Sequence, residues 1–321
     1  MPHATAIFTA HCVFGACAGH CFVPTVQCLI IAVCCLLPSA YCEWEARGQA
    51  IVVDRRPKVM GIVNVTPDSF SEPGLVVDCA LAVERGLNLA REGADLLDVG
   101  GESSRPGAEP VTVEEEMRRV IPVVTALARS ARVPISVDTT KAEVAREALL
   151  AGASIINDIR ALEDAALAKV VAESDAGIVL MHMQGTPRTM QIDPRYNDVV
   201  AEVRAYLAQR IEWAESIGIT RSRIAIDPGI GFGKTNAHSL ELLRNLGQFA
   251  TLGCALLVGT SRKGFLGKLT GRPVSERVTA SVVSNLAAAQ LGANVLRVHD
   301  VGPMVDAIKV WEAQHGWGAK S

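Results

Sequence analysis

KVMGIVNVTPDSF (58–70) is an apolar run that stops abruptly at Asn64 and then collects Thr66, Pro67, Asp68 and Ser69. The same order returns in GGESSRPGA (100–108), VDTTKAEV (137–144), NDI (157–159), IDPGIGFGK (226–234), VGTSRKGF (258–265) and RVHD (297–300). Each time a strand of buried character gives way to a polar cluster and then to an amphipathic stretch. Separate strands that all end in ionisable or amide side chains point to one shared site.

Working outward from these segments, the periodicity alternates throughout the chain from about residue 50. Strands are expected at 58–64, 94–99, 134–138, 154–158, 177–182, 223–227, 254–259 and 294–298. Helices are expected near 75–92, 112–131, 141–151, 164–175, 196–217, 237–248, 274–291 and 301–315. Gly93-Ala94, Gly152-Ala153 and Gly292-Ala293 read as helix stops just ahead of strands. The strands are apolar rather than alternating, as in a parallel sheet covered on both faces. Such βα units over about 265 residues fit a single (β/α)8 TIM barrel. A doubly wound open sheet is the alternative, but no GxGxxG turn follows the first strand. IVVD (51–54) reads as a small extra strand near the N-terminal end of the barrel.

Composition narrows the class of function. The 321-residue chain is 49% hydrophobic and 20% charged, which describes a well-cored globular protein. With 31 basic and 34 acidic residues and a net charge of −3, neither a nucleic acid nor a membrane surface is expected as partner. Seven of the nine cysteines lie at or before Cys42. Only Cys79 and Cys254 follow, so the barrel reads as a protein of a reducing compartment, the cytoplasm. The leading segment has no Lys or Arg before Arg47, and Pro24, Thr25 and Gln27 interrupt its apolar run. It suits neither a signal peptide nor a spanning helix of about 20 apolar residues. It has no CxxC pair for zinc. Residues 1–42 are therefore expected to be an unstructured extension, and 43–321 the barrel domain.

In a barrel the strand C-termini face a common mouth. Asn64, Asp98, Asp138, Asn157, His182, Asp227, Lys263, Arg297 and His299 all stand at or just past such ends. Any one alone reads equally well as a helix cap or a satisfied polar end, Asp138 and Asp227 above all. Together they outnumber what capping requires. Asp98, Asp138, Asn157, Asp227 and Lys263 offer carboxylates, an amide and an ammonium, a set suited to the donor and acceptor edge of a flat heterocycle. Arg105, Arg297 and His299 form a second group for an anion such as pyrophosphate. Asn64 is available as an oxygen ligand for a metal accompanying that anion, and Mg2+, which takes few protein ligands, suits it. The region after the last two strands, near Val301-Gly302, is where this fold commonly binds phosphate. PGIGFGKT (228–235) looks like a P-loop, but Pro228 stands where the first Gly is required. His182 receives no role.

These segments resemble the dihydropteroate synthase family of pterin-binding enzymes, which are sulfonamide targets, in order from about Glu43 to Trp311. The resemblance implies a transferase of folate and tetrahydrofolate biosynthesis. It would join 6-hydroxymethyl-7,8-dihydropterin pyrophosphate to p-aminobenzoate, releasing pyrophosphate and forming 7,8-dihydropteroate. It implies Asn64 as the Mg2+ ligand, and Asp138, Asn157, Asp227 and Lys263 around the pterin. Arg297 and His299 would hold the pyrophosphate. Loops bearing Phe70 and Ser104-Arg105-Pro106 would close over p-aminobenzoate. Asp138, Lys263, Arg297 and His299 are the implied catalytic set, and a homodimer the implied assembly. Ser104 stands where Thr is frequent, Glu72-Pro73-Gly74 where Asp-Gly-Gly is common, and Gly264 where some members carry Ser.

The expected chemistry is a dissociative displacement. The dihydropterin ring delocalises positive charge onto its methylene carbon as pyrophosphate leaves, and the weakly basic arylamine then attacks. Asp138 is the carboxylate expected to stabilise the transient cation, and His299 a donor expected to titrate near neutrality. A pterin-binding corrinoid methyltransferase would leave SRK and RVHD unexplained. A non-catalytic pterin-binding paralogue would have no need of Asn64, Arg297 and His299.

Overall fold

A computed structural model describes residues 42–53, 56–66 and 79–316. Phe70, Glu72, Pro73 and Gly74, like residues 1–41, lie outside the described residues. Eight parallel strands close into a barrel: β3 (Lys58–Asn64), β4 (Leu96–Gly100), β5 (Ile135–Asp138), β6 (Ile155–Asp158), β7 (Gly177–Met181), β8 (Ile224–Asp227), β9 (Ala255–Val258) and β10 (Val295–Val298). They pair in sequence order, and β10 closes on β3 with Arg297 opposite Met60.

The described helices are α1 (Cys79–Arg91), α2 (Val113–Ser130), α3 (Ala142–Ala151), α4 (Ala165–Ala172), α5 (Val199–Ser216), α6 (Asn236–Arg244), α7 (Gly247–Ala250), α8 (Gly264–Thr270), α9 (Val278–Gln290) and α10 (Val301–Gln314). Their starts are chemically marked. Thr112, Asp164 and Asp198 accept backbone N–H bonds at the heads of α2, α4 and α5, and Thr235 with His238 forms a capping box on α6. The helix expected at 237–248 is divided at Asn245-Leu246, giving α6 and α7.

Strand periodicity sorts the barrel into two apolar volumes. One face of each strand packs against the helices: Val59 and Val63, Leu97 and Val99, Ile156, Ile226, Leu296 and Val298 belong to that outer core. The opposite face points inward. There Met60, Leu96, Ile155, Val179, Ala225, Leu257 and Val295 form a separate cluster with Trp44, Ala46 and Ile51.

Those last three residues come from a hairpin, β1 (Cys42–Ala46) with β2 (Gln49–Val53), paired Trp44 to Ile51. Its turn, Arg47-Gly48, has φ of 51° and 67°, the mirror-image turn whose twist suits paired strands. The hairpin stands at the barrel's N-terminal end. Trp44 Nε1 donates to the Arg223 carbonyl (3.0 Å), and Arg47 donates to the carbonyls of Asp175 through its backbone (2.8 Å) and Ala153 through its side chain (3.1 Å). Each acceptor lies just ahead of a barrel strand. The extra strand expected at 51–54 is thus half of a closing hairpin, and β1 begins at Cys42, one residue inside the expected extension.

Candidate active site

The inward face changes character within one step along the strand. Leu96 is followed on that face by Asp98, Ile155 by Asn157, Ala225 by Asp227 and Val295 by Arg297. Two residues of strand advance the chain by about 6.6 Å. One layer of apolar side chains therefore separates the closed end from a polar mouth.

At that mouth the structure joins groups far apart in sequence. Arg297 Nε donates to Asp98 Oδ2 (2.6 Å) and Arg297 Nη2 to Asp138 Oδ2 (3.0 Å). Asn157 Nδ2 donates to the same Asp98 oxygen (3.1 Å), while Asp98 Oδ1, wholly buried, has no protein partner. A buried oxygen without a donor is costly, and a ligand N–H placed there would relieve it. Burial pushes the Asp138 carboxyl up to about 7, against the pull of Arg297 and with a push from Asp98.

Asp227, at the end of β8, accepts the Gly229 N–H (2.7 Å) through Oδ1. Burial raises its pKa while the Lys263 charge lowers it. Lys263 caps α8, and its ammonium donates to the Ile230 carbonyl and lies 4.2 Å from the centre of the Phe232 ring. Burial brings that ammonium down to about 8, with Asp227 acting in the opposite direction.

His299 differs from expectation. Its Nδ1 lies 3.0 Å from Ser261 Oγ, and that hydroxyl also accepts the His299 N–H (3.2 Å). Burial first, then the charges of Arg297 and Arg262, lower its pKa to about 3. It is a neutral imidazole throughout the physiological range rather than a group titrating near neutrality. Arg262 forms an ion pair with Asp300 (3.0 Å from Nε), tying the loop after β9 to the residue that follows His299.

Asn64 ends β3 opposite Gly100, half-buried. Ser104 is half-buried and Arg105 exposed in the loop after β4. That loop is braced on two sides: Lys141 bonds Glu102 and the buried Glu116, and the Gly107 N–H donates to the Pro187 carbonyl (3.0 Å). The Arg105 charge reaches His299 and adds to the lowering of its pKa. The structure therefore gathers Asp138, Asn157, Asp227, Lys263, Arg297 and His299 at one mouth with Asn64 on its rim. It places Asp98, a polar strand end, at the centre of the charge network. It also reveals a contact between His182 and Lys234 that burial hid from the sequence.

A family described as pterin binding enzyme matches residues 60–299. Dihydropteroate synthase of Escherichia coli K12 is 48% identical over 257 residues, 80% of this chain and 91% of its own length. A Xanthomonas albilineans dihydropteroate synthase solved with 4-aminobenzoic acid superimposes with a TM-score of 0.81 at 50% identity, covering 86% of this chain and 99% of that one. The same organism's enzyme in complex with 7,8-dihydropteroate gives a TM-score of 0.77 at 48% identity, covering 85% and 98%.

Proposed function

The chain belongs to the pterin binding enzyme family, and on that premise we infer that it is a transferase catalysing the dihydropteroate synthase reaction. The observation that carries this is the joining of Asp98, Asp138 and Arg297 beside the Asp227–Lys263 pair at one barrel mouth. The carboxylates and Lys263 meet the needs of an aminopyrimidinone edge, which presents N–H donors beside a carbonyl and a ring nitrogen.

Asp227 accepts from the ring's N–H groups with the capacity left by Gly229, and Lys263 donates to its acceptors. Asp138 stands near neutrality as the free protein, so positive charge developing on the pterin methylene favours its ionised form. Arg297 and the neutral His299 face the departing pyrophosphate, one as a cation and one as a hydrogen-bond donor. The arylamine is neutral at pH 7 and needs no strong base. Ser104 and Arg105 close the amine side and exclude water.

Mg2+ fits this donor set. Among the described residues no three His, Cys, Asp or Glu side chains gather as a metal cage, and Mg2+ commonly relies on one or two protein oxygens plus substrate phosphates. Asn64 would supply such an oxygen, and the ion when bound would neutralise charge on the leaving group.

We place the enzyme in the cytoplasm, and no described helix is long and apolar enough to cross a membrane. A homodimer is part of the same reading. An apolar groove lined by Leu243, Leu266, Leu269, Val283 and Ala287 leaves Leu269 64% and Val283 62% exposed, a face suited to a second copy. Residues 43–321 are proposed as the working unit.

The deciding measurement is pyrophosphate release by the purified protein, with and without p-aminobenzoate. Release that rises with the amine is expected. No release with both substrates present would overturn the reading.

A further inference from the structure

His182 and Lys234 remain outside the reaction as described, although each stands beside it. Lys234 is 2% exposed. Its ammonium lies 2.9 Å from His182 Nδ1, 3.3 Å from the His182 carbonyl and 2.9 Å from the Phe232 carbonyl. Three acceptors use all three N–H bonds of an ammonium. Lys234 therefore has no donor left for a phosphate, which disposes of the P-loop likeness of PGIGFGKT by geometry as well as by sequence.

The histidine is matched to this partner. Burial, followed by the Lys234 charge, lowers the His182 pKa to about 3, so the ring is neutral and Nδ1 accepts, leaving its proton on Nε2. Tyr206 meets the ring edge-on at 4.9 Å. Burial lowers the Lys234 ammonium well below the ordinary lysine range; Asp227 supports its charge and Lys263 opposes it.

What Lys234 grips is the loop 228–233, and that loop touches both charged groups of the pterin side. Its Gly229 N–H donates to Asp227, and its Ile230 carbonyl accepts from Lys263. The loop is pressed against the segment that begins at His182. Gly229 and Gly233 have φ of 66° and 59°, and a Cβ at either would overlap backbone of His182 or Gln184. Only glycine permits that approach. Tyr196 donates to the Gly233 carbonyl (2.7 Å) and closes the far end.

We propose that Lys234, with His182 as its partner, is a positioning residue for pterin recognition, its ammonium fastening the loop 228–233 to the end of β7 and so setting Asp227 and Lys263. The proposal rests on the pterin reading above. Lys234→Met should raise the dissociation constant for hydroxymethylpterin at least tenfold and leave the KM for p-aminobenzoate within threefold. His182→Ala removes one of the three acceptors and should weaken pterin several-fold. His182→Gln returns an acceptor and should recover most of that loss.

Hydroxymethylpterin affinity, p-aminobenzoate KM and thermal unfolding are measured on wild type and all three variants. A brace of purely structural importance would lower the melting temperature and leave pterin affinity of the folded protein unchanged, and that result overturns the proposal. Equal losses for pterin and p-aminobenzoate would overturn it too. Should Lys234→Met fail to fold, the His182 pair decides by the same criteria. Wild-type protein that binds no pterin would overturn the parent reading and this one with it.

Discussion

The two ends of this barrel are built from the same strands and do opposite things. At the N-terminal end the inward face carries Met60, Leu96, Ile155, Val179 and Val295, sealed by Trp44 and Ile51 of the hairpin. At the C-terminal end the positions that follow Leu96, Ile155, Ala225 and Val295 on the inward face carry Asp98, Asn157, Asp227 and Arg297. The closed end gains stability from apolar burial, while the open end holds carboxylates whose pKa values have been driven up by desolvation. Stability and chemistry are thus segregated along β4, β6, β8 and β10, one residue pair apart.

The largest test of that segregation is Trp44→Ala. Trp44 is fully buried in the seal, so its loss should cost about 3–5 kcal/mol in denaturant unfolding. Pterin affinity of the folded protein should be unchanged. A comparable fall in affinity would show that the ends are coupled.

Asp227→Asn should do the reverse. Replacing an acceptor by a donor opposite the ring's N–H groups should weaken pterin by about 2–5 kcal/mol, read by calorimetry. Stability should hold or rise at neutral pH. A carboxyl whose pKa rises on folding contributes most below its unfolded value and loses that contribution as pH climbs through the folded one. The Asn variant is spared that loss. Marked destabilisation would place Asp227 in the framework instead.

Arg297→Ala and His299→Ala sharpen the comparison within the mouth. Arg297 bonds Asp98 and Asp138, so its removal should lower affinity for pterin and for pyrophosphate alike. His299→Ala should cost pyrophosphate affinity about 1 kcal/mol and spare the pterin. Parallel titrations with the two ligands distinguish them, and a pterin loss in the His299 variant would merge the two halves.

The smallest effect is expected from pH. Burial brings Lys263 down from the ordinary lysine value to about 8, so the positive charge behind its hydrogen bonds is lost as pH rises through that point. Pterin affinity should decline there, and a flat profile between pH 7 and 9 would remove Lys263 from recognition.

Much of the architecture was legible because the strands obey a simple rule: apolar on both faces until the last inward residue. That rule located all eight barrel strands to within one or two residues. It failed at α8, where Gly264 and Gly267 argue against a helix by propensity. A side chain at 267 would overlap the Arg277 guanidinium, so packing overrides propensity there. The polar ends were legible as a group, but not their pairings. Arg297 and Asp98 stand 199 residues apart, and only barrel closure brings them within 2.6 Å. For Lys234 the sequence excluded a P-loop through Pro228 but gave no partner, since burial rather than motif decides where its donors go.

The hairpin sets an order on synthesis. Trp44 is among the first barrel residues made, yet the carbonyl it donates to, at Arg223, is 179 residues further along the chain. Until β8 has emerged the indole has no final seat, and a two-stranded ribbon alone is marginal in water. Closure therefore comes late, at the cost of a long-range contact. The same tryptophan becomes a natural fluorescent reporter: burial of Trp44 marks the moment at which the nascent chain has completed its floor.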